Sequence, residues 1–289
     1  MNGGPVLAID VGGTKTLVAL VKGRRILDQR RAATPREAGA DAWLDLIGDL
    51  AAEWRGSFGA AGAAVTGIVR DGRWHALNPA TLPVPDGLPL VAGLSDRLGV
   101  PVQAVNDAQA AAWGEYRFGA GQGIDMIFLT VSTGIGGGVI SNGRLLSGRS
   151  GLAGHVGQML VETGKGDAAR LEDFASGSAL ARFAATAGHP ADAPTIFAAG
   201  RAGEDWAREL LEAALTRMAH TLRSLQMLFD PARFVIGGGV GLAEGYIDGL
   251  RSMLGDLPAL TRPEIRPAAL GAEAGLLGIA DLVSTAQSA

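Results

Sequence analysis

No cysteine occurs in the 289-residue sequence. That excludes disulfides, a thiol nucleophile and thiolate metal sites, and it fits the cytosol without defining the compartment. Histidine is scarce, with four copies, so few imidazoles exist to ligate a metal. No apolar run approaches the roughly 18 residues of a membrane-spanning helix, and membrane partners are not expected. The start, "MNGGPVLAIDVGGTK", lacks the basic head and long apolar core of a secretory leader. Lys and Arg form no long run, "GRR" and "QRRA" being the densest, and the net charge is −4 with a pI of about 5.6. Nucleic-acid binding therefore has little electrostatic support.

What the sequence has in excess is glycine. Its 44 copies are roughly twice the usual ~7% share. They follow no fixed period, which excludes collagen and points to glycine-rich turns. At 47% hydrophobic and 19% charged the chain is globular, and its length suffices for two domains with real cores.

"VLAIDVGGTKTLVALVKGRRILDQRRAAT" predicts strand, Gly turn, strand, turn, strand. "ADAWLDLIGDLAAEW" predicts a helix with Trp43, Leu44, Ile47, Leu50 and Ala51 on one face. "AGAAVTGIV" is a buried strand ending in a Gly turn. "LPLVAGLSDRLGV" is a helix, "PVQAVND" the strand after it, and "AQAAAWGEYRFG" an Ala-rich helix closed by Gly119. "DMIFLTVSTGIGGGVISNGRLL" is a second hairpin with "SNGR" as its tight turn. Residues 151–178 are Gly-rich and expected to be irregular. "GEDWARELLEAALTRMAHTLRSLQMLFD" is the longest helix, ended by Asp230-Pro231. "RFVIGGGVG" is a strand and Gly turn, and "GAEAGLLGIADLV" a terminal helix.

One pattern occurs twice, in "LAIDVGGTKTLVAL" and "LTVSTGIGGGVISN". The separation is too long for a solenoid and predicts two similar α/β domains, each presenting a glycine hairpin to a shared cleft. Consecutive glycines between strands expose backbone N–H groups, and such groups form anion nests. Two nests suit the phosphates of ATP, with Thr14 and Thr133 adding hydroxyls. Asp10, at the end of a buried strand, is placed to hold Mg²⁺ directly or through water. Each motif alone is equally a plain turn. Neither is a GxxxxGK[ST] loop, and no helix follows the first glycines as in a dinucleotide fold. "VIGGGVG" offers a third glycine turn on which a flat ring such as adenine could pack.

In "VPVQAVNDAQAAAW" a strand ends at Asn106-Asp107 and a helix begins. Asp107 is either the helix N-cap, worth ~1 kcal/mol, or a general base at the carboxyl end of a strand, where open α/β sheets bind ligands. Asn106 would hydrogen-bond the same substrate. His75 and His189 lie in turn-like polar segments and are expected at the surface, and His220 in the long helix is expected to be structural. His155, in "GLAGHVGQ", is placed to donate to a substrate hydroxyl or carbonyl.

Together "DVGGTK", "NDAQAAAWGE", "TGIGGG", "GLAGHVGQ" and "IGGGVGLAEGY" resemble, in order and spacing, the ROK family of sugar kinases and repressors. The resemblance spans nearly the whole chain, and within the family the motifs are most similar to the bacterial N-acetylmannosamine kinase branch. It implies a two-domain actin/hexokinase-like (ribonuclease H-like) ATPase fold with a cleft between domains: residues 1–107 plus 272–289, to which the C-terminal helix returns, and residues 108–271. It implies ATP- and Mg²⁺-dependent transfer to the 6-hydroxyl of a hexose, N-acetylmannosamine in this branch, as a step in sialic acid catabolism. Carried over by motif, Asp107 is the base. Gly12, Gly13, Thr14, Lys15, Thr133, Gly134 and Gly136 face phosphates, and Gly238 and Gly239 lie near the adenosine. Gly67, Asn78, Asn106, His155, Gln158 and Glu172 face the sugar. Glu172 is matched through "LEDFASG", which resembles the family's Cys-x-Glu-x-x-x-Ser-Gly segment. A homodimer is also implied. Other members of the family would be a glucokinase, an N-acetylglucosamine kinase or a sugar-responsive repressor. The first strand begins at Val6, leaving no room for a preceding DNA-binding domain, so a repressor is not expected. A non-catalytic sensor is disfavoured because Asp10 and Asp107 are both present.

The family often carries a structural zinc held by a His and three Cys. The His position is Gln158 here, and "VETGKGDAARLE" replaces the cysteine segment, so no zinc is expected and local packing or hydrogen bonding should hold the loop. Chelators are accordingly expected to leave thermal stability of the purified protein unchanged; stoichiometric zinc in a metal analysis would overturn this.

Overall fold

The apolar stretches around "DVGGTK" form the first sheet. Its strands are β1 (Val6–Val11), β2 (Lys15–Lys22), β3 (Arg25–Ala33), β4 (Ala61–Val65) and, after the small hairpin β5 (Ile68–Arg70) and β6 (Arg73–His75), β7 (Val102–Asn106). The order is β3-β2-β1-β4-β7. β1, β2 and β3 are antiparallel neighbours, while β1–β4 and β4–β7 are parallel. The computed structural model describes residues 4–79, 82–163 and 166–286.

By internal contacts the chain divides into two units. The first is Met1–Gly119 with Leu145–Ala153 and Ala272–Ala289, and the second is Ala120–Arg144 with Gly154–Gly271. The first unit thus runs past 107 to Gly119 and takes in 145–153, rather than ending where the expected boundary fell. The reason is packing. Helix α3 (Asp107–Phe118, the third after α1, Gly39–Ala51, and α2, Leu90–Leu98) lies directly on the terminal helix Ala274–Ala286. Two glycines allow the approach: a Cβ on Gly278 would lie 1.8 Å from the Ala110 carbonyl oxygen, and one on Gly114 would lie 2.2 Å from that of Ala274. Asp281 Oδ2 then accepts from Trp113 Nε1 and Arg117 Nε, each at 2.8 Å. Gln109 Nε2 donates to the carbonyls of Gly151 and Ala153, which ties 145–153 to the same helix.

The core of this unit is built on β1 and β4, both fully buried apart from Asp10, with Trp43 and Trp74 in edge-to-face contact at 6.0 Å. Trp43 Nε1 donates to Pro35 O and Trp74 Nε1 to Thr66 O, so each indole is satisfied inside the core.

The second unit repeats the plan. Its sheet has the order β10-β9-β8-β13-β14, from β8 (Met126–Val131), β9 (Ile135–Ser141), β10 (Arg144–Leu145), β13 (Arg233–Gly237) and β14 (Ile265–Pro267). β8 and β9 are antiparallel, and β8–β13 and β13–β14 parallel. The expected turn is present, with Asn142 and Gly143 both at positive φ and their N–H groups bound by the Asp125 carboxylate. Residues 151–178 are more ordered than expected. They hold a short 3₁₀ turn, the hairpin β11 (Leu160–Glu162) and β12 (Ala168–Arg170), and helix α4 (Glu172–Ala175). Gly164 and Lys165, inside the segment read as the replaced cysteine region, lie outside the described residues.

Three helices had no counterpart in the sequence reading: α5 (Gly177–Thr186), α6 (Ala193–Ala202) and, after the long α7 (Asp205–Phe229), α8 (Tyr246–Met253). α5 and α6 carry N-caps, Ser176 and Asp192, which are the signals that could have marked them. His220 is an exposed residue on α7 rather than a core side chain.

Gly278→Ala tests the helix crossing. Helix propensity favours Ala over Gly by ~1 kcal/mol, but the clash with the Ala110 carbonyl has nowhere to go. The substitution should destabilise the protein by about 3 kcal/mol, lowering Tm by roughly 6–10 °C in thermal unfolding. An unchanged or raised Tm would show that the helices can separate without cost.

Candidate active site

β1, β4 and β7 run parallel and end side by side. Asp10 lies near the end of β1, in register with Ala64 of β4, and Asp107 directly follows β7. The two readings of Asp107 are decided by Asn106. Its Oδ1 accepts from the backbone N–H of Ala108 at 2.9 Å and Gln109 at 3.2 Å, so Asn106 is the N-cap of α3. Its Nδ2 donates to Gly67 O at 2.9 Å. The sugar role expected of Asn106 therefore has to share an amide already engaged three times within the protein. Asp107 Oδ1 takes a 2.8 Å bond from Ala108 N–H, while the helix start does not need Asp107 as its cap.

Gly67 has φ +88°, and a Cβ there would lie 2.5 Å from His75 O. Only glycine fits this turn, and its carbonyl anchors Asn106. His75 pairs with Asp86 at 2.7 Å, and Asn78 is exposed beyond β6.

The Asp10 carboxyl is raised from 3.8 to about 6, first by burial and then by the neighbouring Asp107 charge, with Lys15 opposing both. Burial likewise raises Asp107 to about 6, against bonds from the Ala108 N–H and Asn106 that lower it. Two desolvated carboxyls with mutual repulsion fit a divalent cation: hard oxygen donors whose charge a metal would neutralise. Asp10 is the carboxyl at these strand ends that could hold such a cation. Among the described residues no group of three or more His, Cys, Asp or Glu is gathered for a metal.

Gly12, Gly13, Gly134 and Gly136 are absent from the residues with positive φ, so neither glycine turn is built on left-handed residues at these positions. The first turn is closed by Gly12 N–H to Lys15 O, and Thr14 O accepts from Thr34 N–H. In the second, Ser132 N–H bonds Gly134 O, while the carbonyls of Ser132 and Thr133 accept from Gly177 and Ser178 at the start of α5. Thr14, Lys15 and Thr133 are exposed.

Part of the glycine run serves the protein itself. A Cβ on Gly137 would lie 2.8 Å from Gly154 O and 2.9 Å from Phe128 O; one on Gly157 would lie 2.1 Å from Ile135 O. What comes close to β9 is the loop 154–157, which carries His155 and leads to Gln158.

In the second unit Thr133 and Gly239 line one pocket of about 640 Å³, together with Ser178, Phe197, Arg201 and Val240. Gly238, beside Gly239 in sequence, has φ +84°, and a Cβ there would lie 2.3 Å from Val131 O. The largely apolar wall of Ala181, Ala193, Phe197 and Val240 suits a flat ring. The sequence reading reached the glycines but missed Phe197 and Arg201, because α6 was not recognised.

Glu172 and Gln158 come together, and His155 lies three residues before Gln158. His155 is half-buried at the start of the 3₁₀ turn, whose last residue is Gln158. Gln158 Nε2 donates to Glu172 Oε1 at 2.8 Å.

Two α/β units of repeated topology, one with paired carboxyls at its strand ends and the other with a ring-sized pocket beside a Ser-Thr-Gly turn, describe an actin-like ATPase fold. The chain belongs to the ROK family, whose profile matches residues 6–286. It is 51% identical to the bifunctional enzyme NanE/NanK of Brucella melitensis over 97% of its own length and 54% of that protein's. It thus spans about half the length of that relative. It is 41% identical to the N-acetylmannosamine kinase of Citrobacter koseri over 95% of this chain and 97% of the relative. A ROK family glucokinase from Streptomyces griseus, in complex with glucose and AMPPNP, superposes with a TM-score of 0.78 at 33% identity, covering 96% of this chain and 99% of that one.

The paired carboxyls set a pH dependence. A carboxyl that keeps its proton to about pH 6 when folded and to 3.8 when unfolded contributes stability that is complete below 3.8 and lost as pH rises through 6. Asn carries no such charge. Asp10→Asn should therefore gain stability relative to wild type as pH rises through 6, by roughly 2–3 kcal/mol at pH 8. Denaturant unfolding at a series of pH values checks this, and parallel curves for the two proteins would contradict it.

Proposed function

We propose that this chain is an ATP-dependent kinase that transfers the γ-phosphoryl group to the 6-hydroxyl of N-acetylmannosamine, a step of sialic acid catabolism. The observation that carries the chemistry is Asp107: a desolvated carboxyl at the carboxyl end of β7, relieved of capping by Asn106 and raised by burial to about 6. The sugar is supported by the likeness to the N-acetylmannosamine kinase of Citrobacter koseri along almost the full length of both chains. The nucleotide is supported by the glucokinase bound to glucose and AMPPNP.

In this reading Asp107, as the anion, accepts the proton of the 6-hydroxyl while that oxygen attacks the γ-phosphorus. The new O–P bond forms, the bond to the β,γ-bridging oxygen breaks, and ADP leaves. Asp10 would hold Mg²⁺, and the ion would offset the phosphate charge. Gly12, Gly13, Thr14, Lys15, Thr133, Gly134 and Gly136 line the phosphates, and Gly238 and Gly239 back the adenosine. Gly67, Asn78, Asn106, His155, Gln158 and Glu172 serve the sugar. No structural zinc is part of the proposal: Gln158 is engaged with Glu172.

ADP release with ATP and Mg²⁺ should be fastest with N-acetylmannosamine among N-acetylmannosamine, N-acetylglucosamine, mannose and glucose, and kcat/KM should rise with pH through about 6. Preference for glucose or N-acetylglucosamine would replace the sugar and keep the mechanism. Asp107→Asn should lower kcat by about 10³-fold or more with nucleotide affinity nearly unchanged. Retention of more than a few per cent of activity would exclude Asp107 as the base.

A further inference from the structure

Glu172 has two carboxylate oxygens in different surroundings. Oε1 receives the Gln158 amide at 2.8 Å and faces Arg170 NH1 at 3.3 Å. Oε2 lies over the Ser132–Gly134 turn, 3.3 Å from where a Cβ on Gly134 would stand. The carboxylate is thus gripped by one oxygen and presents the other.

Arg170 is itself anchored. Its Nε and NH2 donate to the two oxygens of Asp173 at 2.9 and 2.8 Å. Such a fork has one orientation, so it aims the remaining NH1 at Glu172. The frame around it is also held. Arg170 pairs with Leu160 in the β11–β12 hairpin, Leu171 N–H bonds Met159 O at 2.8 Å, and Arg182 NH2 donates to Asp173 O at 2.5 Å. Arg170 is 41% exposed and Glu172 16%, so the ion pair by itself contributes little to global stability. Its consequence is orientation.

We propose that Arg170 is a positioning residue for the sugar: pinned by Asp173, it holds Glu172 with Gln158 so that the other carboxylate oxygen is presented in one place. The proposal rests on the reading that Glu172 serves the sugar. The two residues that converge on Oε1, Gln158 and Arg170, stand where the resembled pattern has its His and the Cys of Cys-x-Glu.

The test is a double-mutant cycle on the full chain with N-acetylmannosamine and ATP. Arg170→Ala should raise the sugar KM by about tenfold, with kcat within about threefold and the ATP KM unchanged. Arg170→Lys, which keeps the charge but loses the fork, should fall between Ala and wild type. In a Glu172→Gln background Arg170→Ala should have almost no further effect on sugar KM, because the group it positions is already impaired. Asp173→Asn should raise the sugar KM in the same direction as Arg170→Ala, and it serves if Arg170→Ala fails to fold. The proposal is overturned if Arg170→Ala lowers only Tm while sugar KM stays at the wild-type value. It is equally overturned if Arg170→Ala raises sugar KM by the same factor in the wild-type and Glu172→Gln backgrounds. Wild-type protein that phosphorylates no hexose would overturn the functional reading and this proposal with it; the preceding outcomes overturn the proposal alone.

Discussion

The side-chain amide of Asn106 is the interaction on which the strand-to-helix junction of the first unit depends. One oxygen takes two N–H groups at the start of α3, and the nitrogen reaches the Gly67 carbonyl beyond β4. Three elements meet at this residue, which is almost completely buried. Were the amide missing, α3 would lose its cap at a cost of ~1 kcal/mol. Asn106 caps the helix, and burial makes the neighbouring Asp107 carboxyl at the strand end a desolvated acid.

Glycine content has the same logic in both units. Gly278 and Gly114 let two helices touch backbone to backbone, and Gly137, Gly154 and Gly157 let a loop lie on β9. A side chain at any of these positions would meet a main-chain atom that cannot rotate away. Glycine is thus the means by which long-range packing is made close, and the loop it admits carries His155 and Gln158. Gly134 and Gly136 have ordinary φ, so their turn is shaped by its bonds to α5 rather than by left-handed residues.

The loop from 155 to 173 shows how orientation is obtained from side chains alone. A hairpin brings Arg170 beside Leu160, a fork to Asp173 sets its direction, and Arg170 NH1 and Gln158 Nε2 both meet Oε1 of Glu172. None of these bonds is deeply buried, and each is modest. Two of them, from Arg170 and Gln158, meet on the Glu172 carboxylate.

Much was legible in the sequence because it is local. Strand and helix periods, the Asn142-Gly143 turn, the end of α7 at Asp230 and the strand-to-helix junction at 106–107 all follow from side-chain pattern and backbone preference over a few residues. The repeated strand-Gly-strand motif announced the repeated sheet for the same reason. The choice of Asn106 over Asp107 as cap, the near-neutral titration of Asp10 and Asp107, the glycine contacts at 137–154 and 278–110, and the pocket wall supplied by Phe197 were decided by tertiary structure. Each depends on which distant groups become neighbours and on how much water they exclude, and neither is written in the spacing of residues along the chain.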